Sequence, residues 1–210
     1  MIGWLKRTRL LHWLPDAVVL AAMPRGAGSL YLTFDDGPDP HYTPALLDLL
    51  RQHQVRATFF LIGAKVESHP QLVQRMLAEG HRLGNHSYSH PNFNRLSLAG
   101  KMTEIDRTDR LLEGFDGIRH HGVRPPSGAF SVALTLHLAR QCRRLMYWSY
   151  DSLDYQRLPP EELVQRMRAK PPRAGDIVLM HDDNDCCTRM LETLLPEWRA
   201  AGFRFDALPP

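Results

Sequence analysis

One stretch organises this chain: Leu30-Tyr31-Leu32-Thr33-Phe34-Asp35-Asp36-Gly37-Pro38. Its apolar run leads into two adjacent aspartates and ends at Gly-Pro, which predicts a buried strand followed by a sharp turn. Adjacent strand residues point to opposite faces, so Asp35 and Asp36 can share a site only where the backbone bends. Two carboxylates at a strand end indicate metal ligation, acid–base chemistry or both. A solvated turn is the alternative that this stretch alone leaves open.

Beyond this stretch, short apolar runs alternate with helical patterns to the end of the chain. Strands are predicted at 30–34, 57–62, 82–85, 145–148, 176–180 and 203–205. Helices are predicted at 44–53, 70–79, 97–113, 131–141, 159–168 and 188–200. This alternation is typical of an α/β protein with a parallel sheet and helices outside it. About seven such units predict a single-domain barrel, whose functional residues collect at the carboxyl ends of the parallel strands.

The composition argues against a nucleic-acid-binding protein and against a disulfide-stabilised one. With 43% apolar and 23% charged residues, it is ordinary for a globular domain. The net charge of +3 is compatible with an anionic glycan or a membrane surface, and it is far from the basic stripe of a nucleic-acid-binding protein. Cys142, Cys186 and Cys187 form no disulfide framework, since two of them are sequence neighbours. This cysteine usage favours a reducing compartment.

The first residues of the chain are basic and contain tryptophan. The apolar run at 17–23 is too short to span a bilayer, and no signal peptide is predicted. Residues 4–14 combine tryptophan and leucine with Lys6, Arg7 and Arg9. They predict a short amphipathic element that either packs on the domain or contacts a membrane surface.

Two histidines follow the weak strand at 82–85. His86 and His90 are four residues apart, so one helical turn, limited by Pro91, would place both imidazoles on one face. This spacing is typical of two-histidine metal sites. The pattern also arises by chance in a chain with 11 histidines, so two surface histidines on a polar loop are the alternative.

Three further clusters lie at the ends of predicted strands or extended segments. Arg124 precedes two prolines on a stiff backbone and can align a carboxylate bidentately, or it is an incidental surface arginine. The stretch from Trp148 to Tyr155 sets aromatic rings beside carboxylates, which suits sugar binding or an ordinary barrel rim. His181 ends an apolar strand, as a catalyst or as a core histidine. The run at 182–187 predicts an acidic, solvated loop, with a second metal site as the alternative.

In their fixed order, these clusters resemble the motifs of the polysaccharide deacetylase family, also called the NodB-homology or carbohydrate esterase family 4 domain. The matching stretches are Thr33-Phe34-Asp35-Asp36-Gly37, His86-Ser87-Tyr88-Ser89-His90, Arg124-Pro125-Pro126-Ser127-Gly128, Trp148 through Tyr155, and Leu179-Met180-His181. The resemblance covers about residues 29–205. It implies a distorted (β/α) barrel, with the catalytic domain at 29–210 and a basic, amphipathic extension at 1–28.

The resemblance also implies a role for each matched residue. One divalent metal is expected, zinc by preference, with cobalt, manganese or nickel as alternatives. Its implied ligands are Asp36, His86 and His90. The implied catalytic residues are Asp35 as general base, Arg124 as its orienting partner, His181 as general acid and Asp154 as the residue that holds His181.

The implied substrate-binding residues are Ser127, Tyr155, Trp148 and Leu179, and the main-chain N–H of Ser127 is expected to hold the oxyanion. Members of the family often have an aromatic residue where Ser127 stands and a tryptophan where Tyr155 stands. These two departures put the substrate in question and leave the chemistry intact.

The implied activity is metal-dependent removal of N-acetyl groups from an amino sugar in an oligosaccharide or polysaccharide. An O-acetyl esterase and a deformylase acting on a glycan or lipid-linked sugar are alternatives. A glycosidase is disfavoured, because adjacent aspartates seldom reach the separation that two catalytic carboxylates need. A non-catalytic glycan-binding module is the alternative from another class.

An acetylated glycan is therefore the expected partner, with no nucleic acid. Free cysteines and the missing export signal predict a cytoplasmic protein, with peripheral membrane contact through the N-terminus. A periplasmic or extracellular location is the alternative. The sequence leaves the oligomeric state open.

Overall fold

The computed structural model describes residues 14–209. The strands are Val19–Leu20 (β1), Ser29–Asp35 (β2), Thr58–Leu61 (β3), Arg82–Asn85 (β4), Leu145–Met146 (β5), Tyr150–Asp151 (β6), Ile177–His181 (β7) and Arg204–Phe205 (β8). The helices are Thr43–Gln52 (α1), Gly63–Ser68 (α2), Pro70–Ala78 (α3), Leu98–Asp116 (α4), Val132–Arg140 (α5), Pro160–Ala169 (α6) and Cys186–Ala200 (α7).

All of these strand pairs are parallel. The main sheet has the order β4-β3-β2-β7-β6, and β8 pairs with the start of β2. β1 and β5 form a second pair, and Val123 joins it to the main sheet through isolated bridges to Asn85 and Leu145. The predicted parallel α/β architecture is confirmed. These strand pairs do not by themselves form a closed barrel.

Alternation along β2 decides what faces the site. Leu30, Leu32 and Phe34 pack outward into the core that the strands share with the helices, whereas Tyr31 joins the inner cluster with Phe60 and Leu179. Every residue of β2 is buried. Thr33 and Asp35, which alternate with the outward residues, therefore lie on the inner face, and Asp35 stands at the carboxyl end of the strand.

The predicted strands and helices are present with shifted ends, and a few short elements were not predicted. β1, β6 and α2 contain two, two and six residues, too few for a periodic pattern to show. β1 lies within the segment assigned to the N-terminal extension, and its residues are buried against β5.

Most of the predicted amphipathic element falls on residues 1–13, outside the described part of the chain, so its membrane contact stays a prediction. Within residues 14–209, no helix has the length and apolar character that crossing a membrane would require.

Candidate active site

A left-handed turn brings the two aspartates to one site. Asp36 has φ +73°, a conformation that costs about 1–2 kcal/mol for a residue other than glycine. The turn is held by hydrogen bonds to two successive main-chain carbonyls: Lys65 Nζ donates to that of Asp36 at 2.6 Å, and the N–H of Ile62 donates to that of Gly37 at 2.9 Å. The predicted bend after the strand is therefore present, and it is built by a strained backbone at Asp36.

The loop that carries the two histidines differs from the prediction. Residues 86–90 are not helical, and Ser87 and His90 have φ +68° and +52°. A helical turn is excluded because neighbouring elements use the backbone groups. The carbonyls of Ser87 and Tyr88 accept hydrogen bonds from the N–H groups of Gly63 and Ala64 at the start of α2. The prediction of one helical turn is wrong, although the two imidazoles do meet, with ring centroids 5.0 Å apart.

Asp36, His86 and His90 form one cluster whose potential ligand atoms all lie within 4.8 Å of one another. Asp36 Oδ1 lies 3.5 Å from His86 Nε2 and 3.3 Å from His90 Nε2, and it has no hydrogen-bond partner among the described residues. His86 Nδ1 lies 2.7 Å from the main-chain carbonyl of Arg124, so it carries the proton and leaves the Nε2 lone pair facing the carboxylate. A lone pair directed at a carboxylate oxygen is repulsive unless a cation lies between them.

The electrostatics of this cluster also fit a cation. Burial opposes ionisation of Asp36, but its contact with His86 and the positive charge of His181 hold its pKa well below the usual value. Burial and the neighbouring His86 lower the pKa of His90, which favours the neutral imidazole that a metal needs. The donor set of two imidazoles and one carboxylate therefore fits a divalent metal.

Arg124 fixes the second aspartate from the inside of the fold. Its guanidinium is fully buried, stacks 3.9 Å over Phe60, and donates to Asp35 Oδ1 at 2.7 Å and to Thr33 Oγ1 at 2.9 Å. It also donates to the carbonyls of Met146 and Tyr147. Asp35 Oδ2 is left 3.8 Å from His86 Nε2, beside the cluster of possible ligands. The contact with Asp35 involves one guanidinium nitrogen, so the orientation is fixed without the bidentate pair.

His181 and Asp154 form a pair at the end of the neighbouring strand. His181 is the register partner of Asp35 across β2 and β7. Its Nδ1 lies 2.8 Å from Asp154 Oδ1, and its main-chain N–H donates to Asp154 Oδ2 at 2.7 Å. Burial would lower the pKa of His181, but the hydrogen bond and charge of Asp154 outweigh it and raise the pKa to about 9. His181 is thereby kept protonated with Nε2 free to donate.

The predicted substrate-binding residues fall into two groups. Ser127 is exposed with φ +53°, and Tyr155 is 50% exposed with its ring 5.6 Å from that of His181. Trp148 and Leu179 are buried in the inner cluster. The roles of all four residues stay predictions, and Tyr155 is the exposed one whose ring contacts a site residue, His181.

Sequence reasoning missed several residues that support the site. Thr33 lies inside a matched motif, and its hydroxyl accepts from Arg124, yet nothing in its type marks that contact. Asp182 was expected in a solvated loop, and this is wrong: it is 1% exposed, and Thr43 donates to it at 2.6 Å. The carboxylate of Asp182 packs so closely on Gly37 that any side chain at position 37 would collide with it. Burial raises the pKa of Asp182 to about 7.

Comparison with known proteins identifies the family. The sequence profile described as polysaccharide deacetylase matches residues 22–144. The chain belongs to the polysaccharide deacetylase family. It is 35% identical over 209 residues to a chitooligosaccharide deacetylase of Sinorhizobium fredii (strain NBRC 101917 / NGR234), covering 90% of this chain and 96% of that relative. A peptidoglycan-N-acetylglucosamine deacetylase of Bacillus cereus is 31% identical over 201 residues, covering 94% and 73%.

Solved structures of the family share the fold. A crystal structure of a peptidoglycan N-acetylglucosamine deacetylase in complex with 4-naphthalen-1-yl-N-oxidanyl-benzamide has a TM-score of 0.88 and 31% identity, covering 94% of both chains. A family pseudoenzyme from Bacillus anthracis has a TM-score of 0.82 and 27% identity, covering 90% of this chain and 67% of that one. The family fold therefore occurs both in a deacetylase and in a pseudoenzyme, so the fold alone does not decide whether a member is active.

The Asp154–His181 pair predicts the alkaline limb of the pH profile. An acid donates only below its pKa, so activity falls as the pH rises through the pKa of His181. Asp154→Asn removes the charge that raises this pKa, and we expect the alkaline limb to move to lower pH by about 1–3 units. The measurement is kcat/KM against pH for the metal-loaded protein. An unmoved alkaline limb in the variant would show that His181 is not the titrating acid.

Proposed function

We propose that this protein is a metal-dependent deacetylase that removes N-acetyl groups from an amino sugar in an oligosaccharide or polysaccharide. One observation supports this function most. Asp35 is held by the buried Arg124 beside the Asp36–His86–His90 cluster, and His181 stands at the neighbouring register position with its own carboxylate partner. Hydrolysis of an amide requires a base, an electrophile and an acid together, whereas sugar binding requires none of them.

Each residue of the site has a separate role in the proposed hydrolysis. When bound, a divalent metal supplies a Lewis acid for the acyl carbonyl and acidifies the attacking water. Asp35, aligned by Arg124, takes a proton from the water as it attacks, and the main-chain N–H of Ser127 donates to the oxyanion. His181 gives its Nε2 proton to the nitrogen, because an amine leaves poorly unless it is protonated. The products are acetate and an amino sugar.

We propose zinc as the metal. Two imidazole nitrogens and one carboxylate oxygen form the type of ligand set seen in catalytic zinc sites, which keep a further position for water or substrate. Cobalt, manganese and nickel remain the alternatives, since imidazole and carboxylate also bind these ions.

A related acyl hydrolase is the second candidate. Its support is two exposed positions: Ser127 and Tyr155 face solvent, the Tyr155 ring lies 5.6 Å from that of His181, and both residues differ from those that the family often has there. The same catalytic residues would remove a formyl group or an O-acetyl group if these positions selected such a substrate.

A mass-spectrometric screen of acylated glycans tests the proposed function. We expect the zinc-loaded protein to release acetate from chitooligosaccharides or peptidoglycan fragments, and a chelator to abolish the release. N-formyl and O-acetyl substrates run in the same screen separate the second candidate. Bound metal without release from any acylated glycan would contradict both candidates and favour a binding module.

A further inference from the structure

We propose that Glu104 is a positioning residue that sets the metal affinity of the site, an inference that rests on the metal site of the proposed function. Glu104 lies on α4, away from the potential ligands. Its Oε2 accepts from the main-chain N–H of Tyr88 at 3.1 Å and of Ser89 at 2.7 Å. The Ser89 hydroxyl lies 3.1 Å from both carboxylate oxygens. One side chain thus holds the two residues that directly precede His90.

The histidine loop needs such support because its backbone is strained. Ser87 and His90 both lie in the left-handed region, which is unfavourable for residues other than glycine and persists only where the surroundings impose it. Hydrogen bonds from main-chain N–H groups to a carboxylate are charge-assisted and roughly twice as strong as neutral ones. Without Glu104 the strained loop would lose its strongest acceptor, and His90 would be free to leave the position that faces Asp36.

Helix α4 anchors the loop at two points. Asp109 accepts from Asn85 Nδ2 at 2.7 Å, directly before His86, and Asn85 Oδ1 accepts from the N–H of Ser87. Glu104 accepts hydrogen bonds from the two loop residues that directly precede His90. Both ends of the loop are therefore held by one helix of 19 residues, which fixes the separation between His86 and His90.

Glu67, on α2, offers a matched control because it contacts the same loop. It accepts from the Tyr88 hydroxyl at 2.6 Å, at an exposed position, and contacts no main-chain group of the loop in the described structure. Each substitution removes one glutamate carboxylate that contacts Tyr88. Glu67→Ala removes the partner of its hydroxyl, and Glu104→Ala removes the partner of its main-chain N–H and of that of Ser89. Only the second substitution takes acceptors away from the loop backbone.

The experiment measures zinc affinity by competition with a chromophoric chelator, without substrate. For Glu104→Ala we expect zinc binding about tenfold weaker or more, in the range seen when supporting groups of metal sites are removed. Glu104→Gln keeps one acceptor oxygen without the charge, so we expect an intermediate loss. Glu67→Ala should stay within about twofold of the wild type, because the backbone of the loop keeps its partners. Equal zinc affinity in Glu104→Ala and the wild type would overturn the inference.

Amide hydrogen exchange of the metal-free protein gives a second readout. We expect Glu104→Ala to lose protection at the amides of Tyr88 and Ser89, with the amides of β2 and β3 unchanged. Unchanged exchange at both amides would overturn the inference, whether or not the protein proves to be a deacetylase. Failure of the proposed function, in contrast, would appear as wild-type protein that binds zinc and releases no acyl group.

Discussion

The Asp35→Asn variant is expected to retain its metal and to lose nearly all turnover. The amide keeps an oxygen for the Arg124 guanidinium, which donates at 2.7 Å, so the side chain stays in place. It cannot accept a proton from water, and loss of a general base lowers the rate by about 10²–10⁴-fold. The measurement is kcat on a chitooligosaccharide together with metal content by elemental analysis.

The control for Asp35→Asn is the metal content itself. Asp35 Oδ2 lies 3.8 Å from His86 Nε2, close enough that a ligand role has to be separated from a base role. A variant that loses its metal as completely as a histidine variant would show that Asp35 is a ligand.

The His86→Ala variant is expected to lose both its metal and its activity. His86 is 2% exposed, and its Nδ1 proton is held by the carbonyl of Arg124, so Nε2 is fixed toward Asp36. Among the described residues, His90 is the only other imidazole in the cluster, so no further histidine can replace His86. The measurement is zinc stoichiometry after dialysis, with the melting temperature followed in parallel.

His81→Ala provides the matched control for a buried histidine. His81 is 4% exposed and accepts from the N–H of Ala57 at 3.1 Å, outside the cluster of potential ligands. We expect His81→Ala to lower the melting temperature and to keep its zinc. Full zinc occupancy in His86→Ala would contradict the assignment of His86 as a ligand.

The fold could be predicted from the sequence because its strands are short apolar runs with clear ends. The strand that carries Asp35 is buried along its whole length, and an apolar run that stops at Gly-Pro is typical of a buried strand and its turn. The two-residue strands β1 and β6 could not be predicted, since they exist through pairing with β5 and β7 and not through their own pattern.

The sequence predicted several side chains that the structure brings together, but not the backbone conformation that carries them. The spacing of His86 and His90 predicted a pair, and the pair is present, but on a loop whose shape depends on Glu104 and on the start of α2. Likewise, Asp182 looks like a surface residue because it begins an acidic stretch, and its burial against Thr43 is a contact across 139 positions of the chain. Contacts of this length leave no local pattern.

Arg124 joins the two halves of the site through different parts of one residue. Its side chain aligns Asp35, whereas its main-chain carbonyl holds the Nδ1 proton of His86. Replacing Arg124 by another amino acid removes the side-chain contact with Asp35. It leaves the main-chain contact with His86 in place, because every residue type has a main-chain carbonyl. A mutation at position 124 can therefore change the alignment of Asp35. The tautomer of His86 depends instead on where the backbone places the carbonyl of residue 124.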